Sequence, residues 1–553
     1  MRTQVKYIYG AITATVALFC SGVNAQQKAF DTIQVNVITR FKPTIHDAVK
    51  LSSNPAVADS VCLSRNVKYD LVNSQYPTSY TPPTIPAMQI KGEPEEKLYH
   101  SLLNAGVGNY NTLYGEYFFN SIRSHDLDYG IHLNHLSADY TTNNWNSGYA
   151  FNNVDGYLQK FFYEHILTVN AGFENHSLND YGGIPDMNQV FVYSEPNPIN
   201  ERFDYTNGSL DYASNFRDSS KIGHDIKLKY SNFNDIYNST ENNFDADMKF
   251  FTYFNQQRID LKARFNYFND VMQTGSASNY DILLNPFFTT AETHWDAHLG
   301  ANVYFDPVDK KANVYPDLLV RYHIAQDVVM IYAGIDGNET FDSYRSLSGR
   351  NPFVQDTMKL HYTYTEYHAY GGIAGSITQQ LTYNASVAQS MIKNMPLFVT
   401  DTLEPLKNRF TVVYDNVKVF NIHGDLDYKW KNNLSIILAG DYNIYTPTNQ
   451  LKAWYSPALK ISATGKYTIQ NKYILKAEFF VVGSQYAPEI VNDAITAKTL
   501  SGYPDLNLGV EYKYNKSFTA FLNLNNIANV AYYTWDNYEM ERFNFLIGIR
   551  FGF

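Results

Sequence analysis

The 553-residue sequence predicts an all-β fold: a 22-stranded antiparallel transmembrane β-barrel with a short proline-rich N-terminal periplasmic segment. Three observations predict it. From about residue 97 onward, apolar and polar residues alternate with period two, the pattern of strands whose successive side chains point to opposite faces. The alternating segments run about 10–13 residues, close to the roughly 9–11 that a tilted strand needs to cross hydrocarbon and longer than the ~5–6 usual in globular proteins. Short and long connections alternate along the chain, which fits strands that repeatedly cross a membrane and return.

Composition removes the main competitors. Tyr 47, Phe 35 and Trp 5 make the chain 16% aromatic, and no apolar run reaches 18 residues, so no transmembrane helix is expected. Two cysteines exclude a disulfide scaffold and a cysteine-rich zinc cluster. A net charge of −11 argues against a nucleic-acid partner, which would call for a basic patch. No G-x-S-x-G elbow, H-E-x-x-H, phosphate-binding loop or EF-hand loop occurs. His132 and His135 are three apart, hence on opposite faces of a strand, which disfavours a shared metal. No catalytic residue, metal or cofactor is therefore expected.

Taken in order, residues 1–25 read as an export signal. Arg2 and Lys6 form its positive flank, Ala11 to Cys20 its apolar core, and Val23-Asn24-Ala25 a small-residue cleavage site. Removing it takes the charge to −13 and leaves Cys62 as a lone thiol. Residues 26–97 hold Pro43, Pro55, Pro77, Pro82, Pro83, Pro86 and Pro94, too many for a regular sheet, and Pro82 to Pro94 reads as an extended spacer. This is the periplasmic or lumen-lying segment, and 98–553 is the barrel.

Individual barrel strands show their two faces plainly. Ile259, Leu261, Ala263, Phe265 and Tyr267 alternate with Arg258, Asp260, Lys262, Arg264 and Asn266. Leu506, Leu508, Val510, Tyr512 and Tyr514 alternate with Asp505, Asn507, Gly509, Glu511 and Lys513. In the last segment Phe543, Phe545, Ile547, Ile549, Phe551 and Phe553 share a face, and Leu546 is the one apolar residue on the other. A charge on the lipid face near the midplane costs ~2–4 kcal/mol, and these apolar faces carry none. His224 breaks the rule by sharing a face with Ile222, Ile226, Leu228 and Tyr230, so it belongs near an interface or its strand is out of register.

About 22 such segments run from near Leu98 to Phe553. Short turns such as Tyr163-Glu164-His165, Thr378-Gln379-Gln380 and Lys431-Asn432-Asn433 alternate with long connections at about 179–206, 338–358, 393–416, 487–502 and 526–541. Short turns in the periplasm place both termini there, in the outer membrane of a Gram-negative bacterium. Barrels of 16–18 strands are porins, whereas 22 strands mark outer-membrane transporters with a plugged lumen. Inward positions such as Asp225, Lys227, Lys229, Lys476, Glu478, Glu511 and Lys513 read mainly as cross-strand pairs that solvate the interior.

The C-terminal fifty residues resemble the end of TonB-dependent receptors. The likeness lies in Phe521-Leu522-Asn523-Leu524-Asn525-Asn526-Ile527, then Tyr532-Tyr533, then Arg542 leading into the terminal strand and Phe553. It implies an outer-membrane receptor barrel in contact with lipid. A terminal strand ending in Phe551 and Phe553 further implies recognition by the barrel-assembly machinery. Asp31-Thr32-Ile33-Gln34-Val35 resembles the box that an inner-membrane energy transducer grips, with a plain periplasmic tail as the alternative. The departure is at the plug, because residues 26–97 are too few and too proline-rich for the family's globular plug.

The resemblance implies uptake of a solute too large for porins. The departure leaves two alternatives: a structural or assembly subunit of a multiprotein outer-membrane complex, with a periplasmic or surface lipoprotein as partner, and a passive channel. Inward-folded long loops, residues 26–97 or another protein would have to fill the lumen in the first two cases.

Overall fold

The computed structural model describes residues 98–553 apart from 123, 125, 143–144, 183–199, 217–220, 255–256, 307–309, 327, 402–405 and 493. The predicted signal segment, the proline-rich segment and Asp31–Val35 lie outside the described residues. Twenty-two strands form one sheet. The first seven are β1 (Ser101–Gly108), β2 (Leu113–Asn120), β3 (Leu127–Ala138), β4 (Tyr149–Phe161), β5 (His165–Asn179), β6 (Asn200–Ser214) and β7 (Gly223–Asn234). Next come β8 (Thr240–Phe254), β9 (Gln257–Met272), β10 (Gly275–Ala291), β11 (Trp295–Asp306), β12 (Lys311–Ala325), β13 (Val329–Phe341) and β14 (Tyr362–Thr378). The last eight are β15 (Leu381–Thr400), β16 (Phe410–Trp430), β17 (Leu434–Pro447), β18 (Leu459–Ile469), β19 (Tyr473–Val482), β20 (Tyr503–Lys513), β21 (Phe518–Asn525) and β22 (Asn544–Gly552). Each pairs antiparallel with its neighbour in sequence, and β22 pairs antiparallel with β1, Ala105 opposite Ile549, which closes the ring.

The apolar face of each strand points out. Leu228, Leu261, Leu284, Val320, Ile422, Val510 and Ile549 are exposed on the outer wall, as a hydrocarbon-facing belt requires. The belt has visible borders. Toward the long-loop rim the outer face turns polar in a hydrogen-bonded row: His135 Nδ1 lies 2.7 Å from Asn152 Oδ1, Asn152 donates to Asn175 at 3.2 Å, and Asn175 donates to Asp204 at 2.5 Å. Tyrosines at this border turn their hydroxyls toward it, Tyr230 donating to Asn242 at 2.9 Å, as an interfacial girdle does. Toward the short-turn rim, stacked rings such as Tyr473–Tyr512 and Phe551–Phe553 form the second girdle. His224 sits at the start of β7 within a cluster of His165, Tyr212 and Phe216 at that rim, so an interfacial position accounts for it.

Inside, charged and amide groups pair across strands and stitch the seam. Lys476 Nζ lies 2.5 Å from Glu511, Arg550 lies 3.2 Å from Glu511 and 3.0 Å from Asn104, and Asn104 donates to Glu116 at 2.7 Å. His132 completes the row at 3.2 Å from Glu116, whereas His135 faces outward, so the two histidines do lie on opposite faces.

Two expectations need correction. Residues 393–416, expected as a long loop, are largely strand: β15 and β16 run 20 and 21 residues, and only 401–409 connects them. The extension rises past the apolar belt, where pairing with each other and packing against Trp454 and Ala453 replace the support of lipid. The long connections also carry structure of their own. Among the described residues, hairpins Gln485–Val491/Ala494–Leu500 and Tyr533–Trp535/Tyr538–Glu539 occupy two of them, and helix α1 (Tyr344–Arg350) occupies the β13–β14 connection. Ser343 caps α1 by accepting from the Ser346 backbone N–H.

Leu228→Arg, on the outer face in the middle of β7, is expected to cost ~2–4 kcal/mol and to lower the yield of heat-modifiable barrel on unheated gels. Lys227→Ala, on the inner face of the same strand, should leave that yield close to wild type.

Candidate gate at the long-loop mouth

A ring of this circumference is wider than its own inward side chains can fill, and at the long-loop rim it is bridged by its connections. Described parts of four of them converge: 180–182 after β5, the 342–361 connection with α1, 406–409 before β16, and 526–543 before β22. Their apolar residues form one buried cluster with the wall. Tyr181, Tyr344, Leu347, Phe353, Phe410 and Tyr538 lie at its centre, against Phe203 and Phe233 on the inner faces of β6 and β7. The Phe353 and Tyr538 rings stack at 3.7 Å, Tyr181 meets Tyr538 edge-on at 4.8 Å, and Phe410 lies 6.0 Å from Tyr538. Phe410 also exchanges backbone hydrogen bonds with Phe353 and Gln355, which ties the β16 extension to the 342–361 connection.

Polar bonds fix how the connections meet. The Tyr538 hydroxyl donates to the Asn408 carbonyl at 2.5 Å, and Tyr181 donates to the Glu539 carbonyl at 3.1 Å. Tyr344 donates to Asp235 at 2.8 Å, Ser239 donates to Asp356 at 2.5 Å, and the Arg345 N–H donates to Glu241 at 2.9 Å, anchoring the helical connection to the β7–β8 turn. Gly182 has φ +87°, and a Cβ there would stand 2.7 Å from the Asn537 carbonyl oxygen, so glycine permits this crossing of two connections.

One buried cation spans the mouth. Arg409 Nη2 donates to Asp180 Oδ2 at 2.6 Å and to Glu201 Oε2 at 3.0 Å, and also to the Tyr237 hydroxyl. All three charged side chains are almost wholly buried. Asp180 and Glu201 flank the β5–β6 connection, while Arg409 precedes β16, ten strands round the 22-strand ring and so nearly opposite.

Beneath this cap, α1 and the inner wall of β3–β8 line a half-open cavity of about 770 Å³. Phe151, Phe203, Tyr205 and Phe233 supply aromatic faces, and Asn134, Asn153 and Asn243 supply amides. Its charges are largely matched: Arg345 lies 3.9 Å from Glu174 and over the Tyr205 ring, and Lys229 stands opposite Asp245 in the β7–β8 register. A chamber of this size suits a ligand of drug-like dimensions.

Of the residues singled out from sequence, Phe551 and Phe553 are placed at the short-turn rim, at the end of β22 away from the cap. Phe553 exchanges backbone hydrogen bonds with Ser101 at 3.0 Å in both directions. Arg409, Asp180, Glu201 and Tyr538 carried no recognisable signal. The nearest one was the Asp342-Ser343 pair, a helix-capping pattern inside a long connection.

No protein-family model matches the chain, and no curated protein does. Solved structures do match. The ferric enterobactin receptor PfeA of Pseudomonas aeruginosa aligns with TM-score 0.64 and 13% identity, over 83% of this chain and 82% of that one. The FrpB iron transporter from Neisseria meningitidis gives 0.65 and 10%, over 83% and 82%, and the ferric-catecholate import receptor Fiu of E. coli K12 gives 0.62 and 10%, over the same shares. A closed 22-strand ring with a lipid-facing belt and a capped lumen defines an outer-membrane β-barrel of the transporter size. At these identities the likeness is one of fold, and that fold is the TonB-dependent-receptor barrel.

Two acids in the cap's connections contribute a pH dependence to its stability. Burial pushes Asp342 up to about 6 despite a hydrogen bond from Thr363, and burial pushes Glu541 up to about 7 despite one from Tyr149. Because both values are raised, the closed cap favours the protonated acids. This stabilisation is complete below the ordinary carboxylate range near ~4 and is lost as pH rises through 6 and 7. Hydrogen exchange in 342–361 and 526–543, corrected for intrinsic rates, should be slower at pH 5 than at pH 8. Asp342→Asn with Glu541→Gln should reduce the difference. Separately, Tyr538→Ala should loosen the cap by ~3–5 kcal/mol and expose it to external protease, whereas Tyr538→Phe should cost about 1 kcal/mol.

Proposed function

We propose that the chain is an outer-membrane uptake protein for a solute too large for porins, admitted at the surface through the loop-built cap and held in the chamber below it. The observation that carries this reading is the cap itself. A passive channel needs an open lumen, and four connections knotted over the mouth favour gated passage instead. The neighbours named above are receptors or transporters of iron or its complexes, which supports a transport role and a solute of similar bulk. No enzymatic role is proposed.

In this reading residues 26–97 lie in the periplasm or along the lumen, both termini are periplasmic, and Asp31, Thr32, Ile33, Gln34 and Val35 meet the inner-membrane energy transducer. Phe551 and Phe553 present the terminal strand to the barrel-assembly machinery. A second reading, a subunit of a larger outer-membrane complex with a surface lipoprotein, is favoured by one observation: the Gln485–Val491/Ala494–Leu500 hairpin exposes Ile490, Val491 and Ile495 together. Affinity purification from native membrane separates the two, since the uptake protein need not bring a stoichiometric partner with it.

Site-specific cross-linking tests the energy-coupled role. A photoreactive residue at Ile33 should capture the transducer's periplasmic domain, and deleting 31–35 should abolish capture while leaving barrel assembly intact. A wild-type protein that forms a large, permanently open conductance in planar bilayers would count against gated uptake.

A further inference from the structure

The uptake reading leaves open what keeps the mouth shut. We propose that Arg409, with Asp180 and Glu201, is an electrostatic latch: the four connections of the cap open together when this pairing across the lumen is broken, giving access to the chamber beneath. The inference concerns regulation of the same chamber and rests on that reading only for its purpose.

The placement of the triad carries it. A buried charge is tolerable only while its partner is in place, and removing one member of a buried pair costs ~3–5 kcal/mol, far more than a surface ion pair contributes. Here the partners stand on nearly opposite parts of the ring, so the cost of separating them acts directly on the span of the mouth. The triad is also continuous with the aromatic knot. Asn408, the neighbour of Arg409, accepts from Tyr538; Phe410, its other neighbour, is bonded to Phe353 and Gln355; and Tyr181 follows Asp180 directly. Drawing Arg409 away from the carboxylates therefore pulls on the 342–361 and 526–543 connections at once. Further carboxylates lie close by. Asp235 accepts from Tyr344 and Asp356 from Ser239, and both acids are buried, so the guanidinium stands among polar groups held away from water. With Arg409 withdrawn, these buried polar groups are left to water, which favours hydration and opening.

The latch is read by the reactivity of a thiol beneath the cap. Ser231 lines the chamber and is buried, so Ser231→Cys in a Cys62→Ser background places a probe there, and the Cys62→Ser parent sets the background. Intact cells are treated with a maleimide carried on a polyethylene glycol too large for porins. Labelling then reports the fraction of time the mouth is open, provided that closing is faster than reaction. Arg409→Gln should raise the labelling rate at least about 100-fold with the barrel still heat-modifiable on gels. Replacing the whole triad by apolar residues (Arg409→Met, Asp180→Leu and Glu201→Met together) should bring the rate back to within about 10-fold of the parent, because no buried charge is then left without its partner. If Arg409→Gln does not assemble, Asp180→Asn tests the latch from the opposite wall and should also accelerate labelling. Unchanged labelling in an assembled Arg409→Gln or Asp180→Asn barrel would overturn the latch and leave the aromatic knot as the sole closure. A triple variant as open as Arg409→Gln would overturn its electrostatic basis. Failure to cross-link the transducer would remove energy-coupled uptake and leave the latch result standing.

Discussion

Hydrocarbon offers no hydrogen bonds, so every backbone N–H and C=O within it must find a partner inside the protein. A sheet satisfies this only by closing on itself, and the pairing of β22 with β1 is where this chain does so. The remaining features of the wall follow. Closure fixes an even strand count for hairpin-connected antiparallel neighbours, and it gives every strand one lipid face and one lumen face. The row from Lys476 through Glu511, Arg550, Asn104 and Glu116 to His132 runs across the seam on the lumen face, where exchange with water would otherwise compete with the ladder.

A wide ring creates a second problem that its walls do not solve. Small barrels fill their interior with wall side chains; one of 22 strands has a lumen that needs something else. At the long-loop rim this chain uses its own connections. They meet through aromatic rings, which cover a large area with little loss of side-chain freedom, and through tyrosine hydroxyls that satisfy loop carbonyls such as those of Asn408 and Glu539. The cap is thus a small globular core built on a membrane protein, with the same demand that buried polar groups be paired. Arg409 between Asp180 and Glu201 meets that demand with charge, and charge binds tightly only while its geometry holds.

The cap and the belt differ in what holds them, and so in how they can move. The belt is stabilised by lipid all round and by two ladders per strand. Among the described residues, the cap is held by contacts between segments that have no common ladder except the short one linking Phe410 to Phe353. Low-stability elements of this kind are where binding proteins place their moving parts. The chamber beside α1, with matched charges and an aromatic lining, is positioned to receive whatever passes.

The sequence by itself determined the wall. Period two, apolar faces without charge and the alternation of short with long connections are imposed on each residue locally by the membrane, so they can be read one strand at a time. His224 was legible as an interfacial residue or a register slip, and its ring cluster at the rim decides for the first. Local reading missed strand that continues beyond the hydrocarbon, as in β15 and β16, because outside the membrane nothing enforces a lipid face and the pattern lapses. The cap was decided only by the tertiary structure. Arg409 lies 229 residues from Asp180 and 208 from Glu201, and each looks like an ordinary loop charge until closure of the ring brings the two sides of the mouth together. No periodicity links such residues, since their contact depends on how non-repeating connections fold over a lumen whose width is set by the strand count.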